Sequence, residues 1–144
     1  MVRNIKNSNL TKPIVSIIIP HLKNKNVLQE CLSSLFRCDR IMESEIIVIN
    51  NGQNEYMHGI KVDFPKIILV NPENNLGYAG GCNLGVKSAQ SDLLLFLNDD
   101  TTHERKWINN LVESMHQNPD IGSLQPKILN HNDKNIFDYA GGVG

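Results

Sequence analysis

The sequence predicts an α/β domain built on a parallel sheet with helices on both of its faces. Short β-branched or leucine-rich runs recur without strict polar alternation, as in strands covered on both sides. Segments of helical apolar spacing lie between them. Stretches rich in Gly, Asn and Asp follow the strands directly, on the edge where parallel sheets bind ligands. With 144 residues, 40% hydrophobic and 20% charged, the chain fits one ordinary globular domain.

Residues 1–12 are rich in Asn and Lys and aperiodic, so they read as a frayed tail, with the domain over 13–144. Residues 14–19 form the first strand, closed by Pro20. Val27, Leu28, Cys31, Leu32, Leu35 and Phe36 then recur at helical spacing. Residues 45–49 form a second strand, ending in the turn signal Asn50-Asn51-Gly52. Pro65 precedes a third strand at 66–70. Residues 71–81 form a loop, and helical character resumes near Cys82 and runs to about Ala89. Residues 92–97 read as a fourth strand, buried and central because 93–97 are all Leu or Phe. Thr101 and Glu104 fit a capping box for the next helix. That helix lines up Trp107, Ile108, Leu111, Val112 and Met115, and Pro119 closes it. Residues 121–128 read as a fifth strand. Right-handed crossovers predict the spatial order 3-2-1-4 for the first four strands.

Composition narrows the function classes. A formal net charge of −1 supplies no basic field for nucleic acid or anionic lipid. The longest strongly apolar run, 14–20, is too short to cross a bilayer, and residues 1–12 lack a signal-peptide apolar region. Both absences argue for the cytosol. Cys31, Cys38 and Cys82 are odd in number and form no C-x-x-C pair, so they read as reduced, partly buried thiols. His21, His58, His103, His116 and His131 show no metal-ligand spacing and read mostly as surface residues.

The chemistry concentrates in the loops after the strands. Asp99 and Asp100 are adjacent carboxylates, and a divalent cation relieves the repulsion between such a pair. The alternative is a solvated turn, with Asp100 serving the dipole of the following helix. Three glycines, Gly77, Gly80 and Gly81, open a helix in the run Asn74-Asn75-Leu76-Gly77-Tyr78-Ala79-Gly80-Gly81-Cys82-Asn83. They permit close backbone approach to an anionic ligand, or else a tight loop and close helix packing. Asn50-Asn51-Gly52 either presents amides to a nucleobase edge or is a plain turn. Trp107 reads as core; Tyr78 is more exposed by context and either stacks on a ring or, the better reading, meets no ligand.

Together these segments resemble family-2 glycosyltransferases, in particular the rhamnosyltransferase-like bacterial subgroup. The resemblance runs in order through Val15-Ser16-Ile17-Ile18-Ile19-Pro20, Glu45-Ile46-Ile47-Val48-Ile49-Asn50-Asn51-Gly52, the Asn-rich glycine loop at 71–81, and Leu94-Leu95-Phe96-Leu97-Asn98-Asp99-Asp100-Thr101. Gln125-Pro126-Lys127 and Tyr139-Ala140-Gly141-Gly142 also look like subgroup features. The resemblance implies a GT-A fold, a divalent metal (Mg²⁺ or Mn²⁺) and transfer of a sugar with inversion. The donor it implies is a UDP- or dTDP-sugar, and the acceptor a glycan or a lipid-linked acceptor, with peripheral membrane association open to the full-length protein. Asp100 takes the place of the metal-binding carboxylate of the D-x-D motif. The implied donor-binding residues are Pro20, His21, Leu22, Asn50, Asn51, Gly52, Asn75, Gly77, Gly80, Gly81, Asn83, Asn98 and Asp99.

Three positions depart from the family pattern. Asn50 stands where an Asp contacts the base, Leu22 where an aromatic lies beside it, and Asn98 at the first Asp of D-x-D. The resemblance places the catalytic base beyond Gly144, so no residue here is assigned that role and these 144 residues are expected to transfer little sugar. A non-catalytic nucleotide-sugar-binding module is the second reading. A dinucleotide-dependent dehydrogenase is the third, weakened because the first strand lacks a glycine fingerprint.

Overall fold

A computed structural model of the chain describes residues 12–139. The expected tail, apart from Lys12, and the last three residues of Tyr139-Ala140-Gly141-Gly142 lie outside the described residues. Four strands, β1 (Ser16–His21), β2 (Glu45–Asn50), β3 (Ile68–Val70) and β4 (Leu94–Phe96), form one parallel sheet in the order β3-β2-β1-β4. This is the 3-2-1-4 order predicted from the alternating pattern. The helices are α1 (Lys25–Leu35), α2 (Met57–Asp63), α3 (Gly77–Ser88) and α4 (Trp107–Gln117). The short α2 was not singled out from sequence.

β1 and β2 are buried at every position, and their alternate side chains feed two cores. Ile17, Ile19, Ile46 and Val48 pack with Leu28, Leu32 and Leu35 of α1, Met57 and Ile60 of α2, and Ile108 and Val112 of α4. Ile18, Ile47 and Ile49 form the opposite core, with Leu84 and Ala89 packed against them. Each such Ile or Leu contributes roughly 1.5–3 kcal/mol relative to exposure. Helix α3 lies close against β1: a Cβ on Gly85 would stand 2.3 Å from Ile18 Cγ2, and one on Gly81 3.1 Å from Pro20 Cβ. At the far end of the sheet the buried Glu45 carboxylate accepts from Ser16 Oγ and, at 2.5 Å, from the Gln90 amide.

Several expectations need correction. Pro20 does not end β1; the ladder continues through Pro20↔Ile49 and His21↔Asn50. The amides of Ser16 and Leu97 alternate with Leu93 and Ile18 carbonyls, so even-numbered positions of β1 turn their backbone toward β4. β4 ends opposite Ile18, and the missing N–H of Pro20 therefore falls where no ladder partner remains.

The fourth strand is shorter than 92–97 and is neither central nor buried. It is the sheet edge among the described residues, with Leu94 39% and Phe96 50% exposed. The fifth strand expected at 121–128 reduces to β5 (Ile128–Leu129), paired antiparallel with β6 (Phe137–Tyr139) in a separate two-stranded sheet.

The capping box does not form: α4 begins at Trp107, and its N-cap Lys106 makes no side-chain cap bond. Thr101 Oγ1 instead donates to Asn98 O at 2.9 Å, while Glu104 pairs with Lys134 at 3.2 Å. The three cysteines are free and buried. Trp107 packs against the main core, and its Nε1 donates to Cys38 Sγ at 3.2 Å. Among the described residues no helix is long and apolar enough to cross a membrane.

Candidate functional site

The loops that follow the four parallel strands are tied to one another at the carboxyl edge of the sheet. After β1, the His21 carbonyl accepts from the amides of Asn51 (2.8 Å) and Gly52 (3.2 Å). Gly52 is required there by close approach, because a Cβ would lie 1.7 Å from Leu22 O. The Asn54 amide group donates to Leu22 O at 3.0 Å, and Leu22 itself is 48% exposed.

After β2, the Asn51 side chain accepts from the Leu76 amide (2.8 Å) and donates to Gly77 O (2.9 Å), fastening the glycine loop. Asn50 Nδ2 donates to Asn71 Oδ1 at 2.9 Å and to Asn54 O at 3.3 Å. Asn50 and Asn51 are 5% and 4% exposed. Their amides therefore build the edge.

The glycine loop enters helix five residues earlier than the predicted start at Cys82. Gly77 adopts φ +67°, and its amide donates to Asn75 Oδ1 at 2.8 Å. Gly81 is buried against Pro20, which favours the close-packing alternative for that glycine. Asn75, Gly77 and Asn83 are exposed and Gly80 half-buried, so the first turn of α3 stays open to solvent. Its leading amides have no intrahelical acceptor. No described hydrogen bond draws Asn83 into the network.

After β4, Asp99 turns inward and Asp100 outward. His21, expected with the other histidines toward the surface or at the donor, is fully buried, because it lies on the strand rather than in the loop. Its Nδ1 lies 2.6 Å from Asp99 Oδ2 and its Nε2 2.7 Å from Tyr56 Oη. A carboxylate only accepts, so Nδ1 carries the proton; in the neutral imidazole Nε2 then accepts from the Tyr56 hydroxyl. Burial, and secondarily Asp99, push the Tyr56 phenol above its ordinary value and keep it a donor.

Asp100 is exposed and has no hydrogen bond or ion pair among the described residues. It cannot serve the α4 dipole, since that helix starts at Trp107. The exposed Asn98 side chain is likewise unbonded among the described residues. The turn is held from below by Thr101, by Cys31 Sγ (3.8 Å to Asn98 O) and by His103, which bridges Ser34 Oγ (2.6 Å) and Thr101 Oγ1 (3.1 Å). Burial pushes the Cys31 thiol up to about 12 and His103 down to about 4. Both are neutral supports at pH 7. Beside Asp100 lies a cleft of about 180 Å³ that includes Val27, Glu30, Cys31 and His131. A larger hollow of about 500 Å³, along Trp107, Leu111 and Leu124, is lined by no residue of the strand-end loops.

The glycosyl transferase family 2 model matches residues 16–138. The chain belongs to glycosyltransferase family 2. An N-acetylglucosaminyltransferase of Bradyrhizobium diazoefficiens is 26% identical over 135 residues, which is 90% of this chain and 28% of that protein. The chain thus spans under a third of that relative's length. Its fold matches S. aureus TarS residues 1–349, crystallised with UDP, at TM-score 0.66 and 20% identity, covering 73% of this chain and 32% of TarS 1–349. A mannosyltransferase from Pyrobaculum calidifontis, in complex with GDP-Man and Mn²⁺, matches at TM-score 0.64 and 18% identity, over 72% of this chain and 32% of that one. The parallel sheet with flanking helices is therefore the GT-A fold of this family.

Within this frame the candidate site contains side chains that motif reasoning missed. Tyr56, Asn54, Asn71 and His103 each hold a motif residue or its turn through a side-chain bond. Asn71 opens the 71–81 loop and His103 lies within the Thr101–Glu104 segment, yet none of the four was singled out as a site residue, because only the partner across the fold gives it a role. A metal fits the open turn on one ground: Asp100 is a carboxylate with no competing partner. No cluster of three His, Cys, Asp or Glu side chains among the described residues could cage an ion alone. A cation held at Asp100 would complete its shell with phosphate oxygens and water.

Proposed function

We propose that the chain forms the donor-binding part of a glycosyltransferase that moves a sugar from a nucleoside-diphosphate sugar to a hydroxyl of a glycan or lipid-linked acceptor, with inversion. The observation that carries this is the union of all four strand-end loops in one hydrogen-bonded edge, from which the Asp100 carboxylate alone of the Asp99-Asp100 pair projects unpaired. Asp100 would hold Mg²⁺ or Mn²⁺, and such a metal neutralises charge on the departing diphosphate. Asp99 is fixed from behind by His21, which engages its Oδ2. Pro20, Asn51 and Gly81 act by shaping the edge, while Leu22, Asn75, Gly77, Gly80 and Asn98 are accessible to a donor. No described residue is assigned the base that takes the acceptor proton.

The rhamnosyltransferase-like subgroup is supported by the Asn-rich glycine loop at 71–81 and opposed by the Bradyrhizobium N-acetylglucosaminyltransferase. Comparing UDP-N-acetylglucosamine with dTDP-rhamnose in binding separates the two. Calorimetry with UDP and dTDP, in Mn²⁺ and in chelator, tests the central reading. Equal affinity in both conditions removes the metal role, and no binding at all removes the donor site. A second reading, a non-catalytic nucleotide-sugar-binding module, is favoured by the aliphatic Leu22 in the first loop and by the saturated amide of Asn50. Radiolabelled donor hydrolysis or transfer, set against binding alone, distinguishes it.

A further inference from the structure

Asn50 stands at the position where a base contact was expected, yet its side chain has nothing left to offer. The Asn54 backbone amide can only donate, and it reaches the Asn50 side chain at 2.8 Å, so that atom is the oxygen Oδ1. The other terminus is then Nδ2. It faces the Asn54 carbonyl at 3.3 Å and the Asn71 side chain at 2.9 Å. A donor must meet an acceptor, so the Asn71 atom facing it is Oδ1. Two backbone groups thus settle the orientation of two amides in sequence. Asn71 lies immediately beyond Val70, the strand partner of Ile49, and therefore beside Asn50. It is exposed, and its Nδ2 has no partner among the described residues.

We infer that Asn71, rather than Asn50, meets the nucleobase, and that it presents a donor there. A donor so placed selects a base that shows a carbonyl oxygen, as O4 of uracil or thymine does. It disfavours cytosine, whose 4-amino group would oppose it donor to donor. Leu22, exposed beyond β1 on the other side of β2, is aliphatic, so hydrogen bonding rather than aromatic stacking carries the discrimination. This inference rests on the reading of the chain as a nucleotide-sugar-binding domain.

UDP and CDP form the test pair, because they differ at this edge of the ring alone. By calorimetry in Mn²⁺ the unaltered chain should bind UDP about tenfold tighter than CDP. In Asn71→Asp the carboxylate still accepts from Asn50 Nδ2 but turns an acceptor outward. The UDP-to-CDP ratio should then fall to one or invert, with an unchanged thermal melt. The added charge weakens both nucleotides alike, so the ratio is the readout. Asn71→Ala should bring the ratio near one without inverting it. A ratio near one in the unaltered chain, or a ratio that survives Asn71→Asp, overturns the inference while leaving the donor site standing. Binding of neither nucleotide overturns the inference and the donor-site reading together.

Discussion

Two turns at the same edge of the sheet are built in opposite ways. The turn after β2, residues 50–54, is closed: the Asn50 and Asn51 amides are buried and each is bonded through both its oxygen and its nitrogen, and Gly52 is pressed onto a backbone carbonyl. The turn after β4, residues 98–101, is open: Asn98 and Asp100 face solvent, and only Asp99 is drawn inward. The closed turn has shape and no charge, whereas the open one has charge held on a supported backbone. A ligand with a neutral ring at one end and a diphosphate toward the other would use such a difference. Substitutions that open the first turn should act on stability, and those that neutralise the second on binding.

The largest expected effect is on the closed turn. Gly52→Ala places a methyl 1.7 Å from Leu22 O, a backbone atom that cannot swing away. It should cost about 3 kcal/mol, seen as a lower urea midpoint. Gly122→Ala, with nothing within 4 Å, is the control and should stay within about 0.5 kcal/mol. A harmless Gly52→Ala would show that the two loops are not pressed together.

Next comes the open turn. Asp100→Asn should reduce Mn²⁺-dependent nucleotide affinity by at least about tenfold, as expected for loss of a metal carboxylate. Stability should stay within about 0.5 kcal/mol, because Asp100 bonds nothing described and lies outside α4. Unchanged binding, with a loss of stability instead, would turn the comparison around.

Tyr56→Phe probes the link between the turns. It removes the hydroxyl at 2.7 Å from His21 Nε2 and leaves a buried ring nitrogen unsatisfied. The cost should be about 1 kcal/mol in thermal or urea unfolding. If His21 serves Asp99, Mn²⁺-dependent affinity should also weaken, while binding in chelator stays the same.

The last effect is pH-dependent and belongs to the support of the open turn. Burial holds His103 at about 4, against 6.5 for a free imidazole. The unfolded chain therefore binds the extra proton first as pH falls from 6.5 toward 4. The His103 contribution is complete above the upper value and declines down to the lower one. Tm should drop across that window, and His103→Gln should flatten the drop.

How much of this was legible depended on the range of the interaction. The runs Ile17-Ile18-Ile19 and Ile46-Ile47-Val48-Ile49 read as covered strands because burial on both faces removes alternation, and the structure buries all of them. The order of the sheet followed from crossover handedness. The leucine-rich run at 93–97 misled, because apolar composition reports a need for cover and not a place in the sheet; β4 lies at the edge among the described residues. Thr101 and Glu104 had capping-box spacing, yet each side chain found a partner outside a helix start. His21 looked like a loop residue after Pro20, and only the register with Asn50 shows it to be the last residue of a strand.

Sequence alone determined the α/β class, the strand order, the family and the loops that hold the candidate chemistry, since all of these follow from local pattern and chain order. Tertiary structure alone decided which residues of those loops remain available. His21 and Asp99 are 78 positions apart, Asn51 and Gly77 26, and Asn50 and Asn71 21. A polar side chain is withdrawn from solvent when its hydrogen-bonding groups are met within the fold, and those partners come from other strands. No local pattern can report that the amide of Asn50 is occupied and the carboxylate of Asp100 is not.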